Sequence, residues 1–343
     1  MECDKLWDSV IWPEGGNRDS HWTEGSKEAG SGVSDALITH GREEERNLAT
    51  VRNVIGGDFI GFCRAIIEKS DDPYVRQKLM RFTLKGAEES REISDTLATL
   101  KVQTRFIGNP IISESLSTSE FSFTDLTRKV TTVYLILPLN HLDVCGKWFR
   151  LIVGSALAQI LRNGANRIPT LLILDEFAQL GALKAIENAM AMAAGFGVQL
   201  WPVLQDLNQL KGLYQDSWET FLSNTGARMF FRPNDQFTSE YLSNLCGDRE
   251  VASYQKSYGY DTRMNEPTVS LNEAQASRRL MMPHEVRDLR NDQALLFADG
   301  VNGPILGTRK PYWKMREFSG KYRPNPYYRS GGLGGFIKGL FGW

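Results

Sequence analysis

Four short runs rich in β-branched and apolar residues alternate with helix-length segments, and this alternation limits the fold more than any other feature of the chain. They are Val130–Leu137 (VTTVYLIL), Thr170–Leu174 (TLLIL), Val198–Leu204 (VQLWPVL) and Ala227–Phe231 (ARMFF). Between the first two lies a segment from about Asp143 to Arg162 that is apolar nearly all round, as in a buried crossover helix. Between the second and third, Leu183, Ile186, Met190 and Ala193 fall on one helical face, and Gly195 ends the helix. Strands apolar on both faces and separated by helices imply an α/β fold with a mostly parallel sheet covered on both sides.

The flanking regions have a different character. Residues 1–45 are rich in Gly, Ser and charge, with Gly15-Gly16 and Gly30-Ser31-Gly32 as breakers, so loops with one or two short helices are expected. From Glu43 to about Ser119 the β-branched runs vanish. Ile93, Leu97 and Leu100 take helical spacing, which predicts an all-α subdomain. Beyond Gly247 the pattern weakens to short strands near Ala294–Phe297 and Pro304–Leu306, and residues 329–343 form a Gly-rich tail. The expected division is therefore 1–42, 43–119, 120–328 and 329–343.

Composition excludes little but is useful. Lys+Arg 40 against Asp+Glu 41 gives a formal charge of -1, so any nucleic-acid contact must come from a local patch. Cys3, Cys63, Cys145 and Cys246 are scattered, which argues against a zinc site or a disulfide framework. His21, His40, His141 and His284 are dispersed and form no metal or triad pattern. No run approaches the roughly 18 apolar residues of a membrane span, and the chain reads as soluble and cytoplasmic.

Asp175-Glu176 is the strongest chemical signal. Four apolar residues seat the preceding strand in a sheet, and two acids emerge together at its carboxyl end, where open α/β sheets bind ligands. Nucleoside triphosphatases use this arrangement as the Walker B motif: the first acid holds Mg²⁺ through water and the second activates the attacking water. A solvated acidic loop is the alternative. Gln205, at the end of the next strand, stands where such enzymes sense the γ-phosphate. Arg228 lies within ARMFF and Arg232 directly follows it; a structural or surface arginine is the ordinary reading of each, and either is also a candidate for an arginine inserted into a neighbour's site in a ring, with Arg228 the one carried forward. The phosphate-cradling pattern G-x-x-x-x-G-K-[ST] does not occur. Its nearest approximations, Gly25-Ser26-Lys27 and Phe336-Ile337-Lys338, fail on spacing and setting.

The run from Leu171 to Asp248 closely resembles the TraG-type type IV coupling proteins of conjugation and type IV secretion. The resemblance rests on DEFAQLG after the strand, Leu204-Gln205-Asp206-Leu207, Trp218-Glu219, and Asn224 shortly before the strand with Arg228. Weaker similarity covers Asp19-Ser20-His21-Trp22, Arg46-Asn47-Leu48, Arg279-Leu280-Met281-Met282-Pro283 and Lys310-Pro311-Tyr312-Trp313. The resemblance implies a RecA-like P-loop NTPase core with an inserted all-α subdomain, the P-loop strand preceding the point where this sequence starts. It also implies ATP and Mg²⁺ as cofactors, with Asp175 on the metal, Glu176 catalytic, Gln205 on nucleotide and Arg228 as a trans arginine finger. The implied partners are single-stranded DNA, a relaxase, inner-membrane secretion components and a homo-hexamer at the cytoplasmic face of the membrane. A docking module of the same family that does not hydrolyse ATP is the alternative. A translocase for chromosome segregation is disfavoured by DEFAQLG and the helical insertion.

Arg309, Lys310, Tyr312, Trp313 and Lys314 interleave bases with aromatics, as a surface stacking single-stranded bases would. An edge strand that packs Tyr312 and Trp313 on the core is the preferred expectation. The Gly-rich tail, with Phe336, Leu340 and Trp343, is expected to be a flexible terminus.

Overall fold

Residues 21–40 form one continuous helix although Gly25, Gly30 and Gly32 lie within it, and this helix organises the first half of the molecule. The computed structural model describes residues 2–11, 21–136, 142–162, 168–261 and 266–323, and it divides into two units, Met1–Thr225 and Gly226–Trp343.

In the first unit, α1 (Glu2–Val10) packs against α2 (His21–His40). The expectation of loops with one or two short helices is corrected over residues 21–40, where a single 20-residue helix forms, for a physical reason. Glycine inside a helix costs about 1 kcal/mol relative to alanine, but a Cβ on Gly30 would meet the Trp7 ring at 2.5 Å and one on Gly32 would meet Leu79 Cδ2 at 2.6 Å. Gly30 lets Trp7 lie flush on the helix, fully buried, with its indole N–H donating to Ser34 Oγ at 2.9 Å, and Gly32 admits Leu79 in the same way. The helices α3 (Leu48–Gly56), α4 (Phe59–Lys69), α5 (Pro73–Leu79), α6 (Arg91–Gln103) and α7 (Pro110–Ser115) follow. Each begins on a capping side chain, respectively Asn47, Asp58, Asp72, Ser90 and Asn109, and Pro73 and Pro110 open their helices. Val51, Ile55, Phe59, Cys63, Leu79 and Leu100 share one buried core with Trp7 and Val33.

The chain then reaches α8 (Leu142–Arg162), β1 (Thr170–Leu174), α9 (Lys184–Met192) and β2 (Val198–Pro202). β1 and β2 pair in parallel, Thr170 opposite Val198 and Leu174 opposite Pro202. The left-handed residue before β2 is Gly197, at φ 72°, and not Gly195. α10 (Leu207–Tyr214) and α11 (Trp218–Ser223) close the unit. The strand expected over Val130–Leu137 does not form. Residues 130–136 join no ladder among the described residues and expose Val130, Tyr134 and Ile136, while Leu137 lies outside the described residues. Strand propensity needs a partner strand to act on, and this segment has none among the described strands.

The second unit holds β3 (Ala227–Phe231), α12 (Gln236–Leu245), β4 (Asp248–Asp261), β5 (Glu266–Arg279), α13 (Pro283–Arg287), β6 (Gln293–Ala298) and β7 (Ile305–Thr308). β3, β6 and β7 form an antiparallel sheet in that order, with Arg228 opposite Phe297, so ARMFF does not join the parallel pair. β6 and β7 are the two short strands expected near the end. The weak pattern after Gly247 conceals a long hairpin, β4 with β5, running from Asp248 opposite Arg279 to Asp261 opposite Glu266. Leu242, Val286, Leu289, Leu295 and Phe297 make this unit's core. Residues 309–323 form two short 3-10 turns, Tyr312–Lys314 and Arg316–Phe318, and not the expected edge strand; Tyr312 and Trp313 are 49% and 55% exposed. The tail, 329–343, lies outside the described residues. No helix of the described residues is long and apolar enough to cross a membrane.

Candidate nucleotide and metal site

The parallel pairing of β1 and β2 brings the carboxyl ends of both strands to the same sheet edge. The ladder continues past the strands, since Val203 N donates to Leu174 O and Phe177 N donates to Val203 O, each at 3.0 Å. Asp175 and Glu176 occupy the turn that leaves β1, and both are exposed. Glu176 adopts φ 51° and ψ 42°, the left-handed region, which is uncommon for a residue with a side chain. Its N–H donates to Asp175 Oδ1 at 3.1 Å, so one carboxylate is oriented by the backbone of the other acid. Gln205 follows β2 at the same edge and is exposed, its backbone N–H donating to Gln209 Oε1 at 3.0 Å. Asp206 next to it caps α10, accepting from Gln209 N at 2.9 Å.

The acidic turn stands on a buried base. Phe177 is fully buried, stacked on Tyr214 with ring centroids 6.1 Å apart and tilted against Phe221. The Tyr214 hydroxyl accepts from Leu183 N at 3.2 Å, tying the far end of the loop to the same aromatic group. Arg150 on α8 completes the support. Only 4% exposed, it donates to the carbonyl oxygens of Leu180, Ala182 and Ser9 at 2.5, 3.0 and 3.2 Å. Burial pushes its guanidinium down to about 10, with Tyr214 acting the other way, which leaves it charged at neutral pH. Gly181 lies in the grip at φ 66°, where a Cβ would sit 3.1 Å from Arg150 Nη1. Sequence reasoning missed this residue. Its signal was present: Arg150 is the single charge between Lys147 and Arg162 in an apolar helix, and a buried charge needs partners.

Two of the four expected site residues, Asp175 and Glu176, are adjacent in one turn, and Gln205 shares their sheet edge. Arg228 and Arg232 belong to the second unit. Arg228 is half-buried on the strand face of Phe230, and its Nε is buried without a hydrogen-bond partner among the described residues. Arg232 is exposed and donates to Arg287 O at 2.8 Å.

The donor set suits a hard cation held mainly by water. Two exposed carboxylates meet the way Mg²⁺ is usually bound, by one or two carboxylates with water and phosphate. No group of three or more His, Cys, Asp or Glu side chains able to cage a metal occurs among the described residues.

Comparison with known proteins bears on the family and on the fold. The family model described as type IV secretory system conjugative DNA transfer matches residues 9–328. The chain is 34% identical to protein VirD4 of Agrobacterium fabrum (strain C58 / ATCC 33970) over 206 residues, 59% of this chain and 30% of that protein. It is 28% identical to the conjugal transfer protein TraG of the same organism over 269 residues, 78% of this chain and 40% of that protein. The chain thus spans less than half the length of these two relatives. Among solved structures, the plasmid coupling protein TrwB in complex with ADP and Mg²⁺ shares the fold at 15% identity, with a TM-score of 0.68 over 90% of this chain and 68% of that one.

Proposed function

The chain belongs to the type IV secretory system conjugative DNA transfer family, and from that premise we propose that it is the motor portion of a coupling protein, using ATP hydrolysis to deliver single-stranded DNA and its relaxase to a secretion channel. The observation that carries this reading is the Asp175–Glu176 turn at the carboxyl end of β1, with Gln205 at the end of the parallel neighbour β2. In this role Asp175 holds Mg²⁺ through water, Glu176 orients and deprotonates the attacking water, and Gln205 reports the state of the γ-phosphate. The metal, when bound, neutralises charge on the phosphates. Arg228 is the arginine proposed to serve a neighbouring subunit of a hexamer. The RecA-like core of 1–42 and 120–328, the helical insertion 43–119 and the tail 329–343 are kept as the functional division. Packing of α1 on α8 and the bond from Arg150 to Ser9 O support placing α1 with the core, whereas α2 packs on α5 and α6 of the helical insertion. Inner-membrane secretion components are the remaining proposed partners, which places the working complex at the cytoplasmic face of that membrane.

The test is hydrolysis of ATP by the purified chain, with and without single-stranded DNA. DNA-stimulated turnover abolished by Glu176→Gln supports the motor. The alternative reading is a docking module of the same family that recruits secretion substrates without hydrolysing ATP. A wild-type chain that binds relaxase yet neither binds nor hydrolyses ATP would establish that reading over the motor.

A further inference from the structure

Residues 309–323 carry six basic side chains, Arg309, Lys310, Lys314, Arg316, Lys321 and Arg323, against one acid, Glu317, in a chain whose formal charge is -1. All six are exposed. Aromatic rings stand among them. Tyr312 meets Trp313 and Tyr322 edge to face, each at 5.1 Å, and the Tyr322 hydroxyl donates to Trp313 O at 3.3 Å. Arg309 lies over the half-exposed Phe231 ring at 5.0 Å, which attaches the segment to β3. Lys310, Lys314, Met315, Arg316 and Glu317 line an open depression of about 690 Å³.

Rings that pack edge to face leave at least one flat face free, and here those faces sit beside a concentration of positive charge. Single-stranded nucleic acid is the ligand this chemistry suits. Its bases stack on aromatic faces whatever their sequence, and its phosphates follow basic side chains. An anionic membrane would attract the basic side chains as well, but it fits less well because the segment offers no continuous apolar face to enter the lipid and leaves the ring faces without a role. The two turns here, Tyr312–Lys314 and Arg316–Phe318, are three residues each.

We propose that residues 309–323, with Phe231, form a binding surface for single-stranded DNA, in which Tyr312 and Trp313 stack bases while Lys310, Lys314 and Arg316 hold phosphates. The choice of DNA over RNA rests on the coupling-protein reading; the surface itself does not depend on ATP chemistry. Fluorescence anisotropy of the full chain with a labelled oligothymidylate of about 20 nucleotides, without nucleotide present, tests it. Wild type should bind at about 50 mM salt and weaken steeply toward about 200 mM. Tyr312→Ala with Trp313→Ala should weaken binding by about thirtyfold or more at unchanged salt slope, and Trp313→Phe should retain most of it. Replacing Lys310, Lys314 and Arg316 by Ala should flatten the slope of log K against log salt by about 2. Far-UV circular dichroism confirms that each variant is folded. No binding by wild type, or equal binding by every folded variant, overturns the proposal. It is also overturned if phosphatidylglycerol vesicles, and not the oligonucleotide, respond to these substitutions. Loss of ATP hydrolysis with oligonucleotide binding intact counts against the motor alone, and the converse counts against this surface alone.

Discussion

Glu176 holds a backbone conformation that side-chain-bearing residues avoid, and Gln215 at φ 46° is its only non-glycine companion among the described residues. Such a residue costs about 1–3 kcal/mol and persists where its surroundings over-determine it. Here Phe177, locked between Tyr214 and Phe221, and the bond from Phe177 N to Val203 O fix the chain directly after Glu176. The left-handed step turns the chain sharply, so that both acids leave at the sheet edge. Glu176→Gly should therefore unfold in denaturant with about 1 kcal/mol more stability than Glu176→Ala, because only glycine enters that region without strain. Equal stability of the two variants would show that no strain resides at this position. The acid pair itself was readable from four apolar residues followed by Asp-Glu. The strain was not, since it arises from aromatic residues more than thirty positions downstream.

Among the elements, α2 shows most clearly where sequence patterning fails. Its buried face includes Ser26, Ala29, Gly30, Ser31, Val33 and Ser34, small residues that read as loop because their value lies in what comes close to them. The same contact region carries an ionic cluster. Lys78 Nζ donates to Asp4 Oδ1, Asp35 Oδ2 and Ser31 Oγ at 2.6, 2.7 and 2.8 Å, joining α1, α2 and α5. Burial works to raise Asp4, but the bonds from Lys78 and Ser31 outweigh it and hold the carboxyl well below its usual range. Burial works to lower Lys78, and the bonds to Asp35 and Asp4 outweigh it and raise the ammonium. The signs then give a plateau. Asp4 contributes fully above the ordinary carboxylate value near 4, and its contribution is lost as pH falls through the folded value. Lys78 contributes fully below about 10.4, and its contribution is lost as pH rises through its own raised value. Lys78→Met should cost about 1–2 kcal/mol at neutral pH, a modest figure because Asp4 is half-exposed, and should flatten the acid limb of stability against pH. Urea titrations at a series of pH values measure both, and an unchanged acid limb would dissociate the cluster from acid sensitivity. The β4–β5 hairpin was hidden for a related reason, as charged and polar residues interrupt the alternation that would mark it.

At the scale of the whole molecule, the mixed α/β class was legible because it depends on local runs, whereas the assembly of sheets depends on partners distant in sequence. TLLIL finds VQLWP across one helix, as the alternation implies, but ARMFF pairs with Gln293–Ala298 on the far side of α12, the hairpin and α13. No local pattern encodes that choice. The result is two units, each with a buried core of its own: Val33, Ile55 and Leu100 in the first, and Leu242, Val286 and Leu295 in the second. A cavity made in one core should loosen the elements built on that core and spare the rest. Ile55→Ala and Leu242→Ala, both fully buried positions, should each cost about 2–5 kcal/mol. Backbone hydrogen exchange would locate the loss. Ile55→Ala should reduce protection through α2, α3 and α6 while leaving α12 and β6 unchanged, and Leu242→Ala should do the reverse. Uniform loss of protection in either variant would mean that the molecule opens as one cooperative body, since separate cores can report separately only if each unit opens without the other.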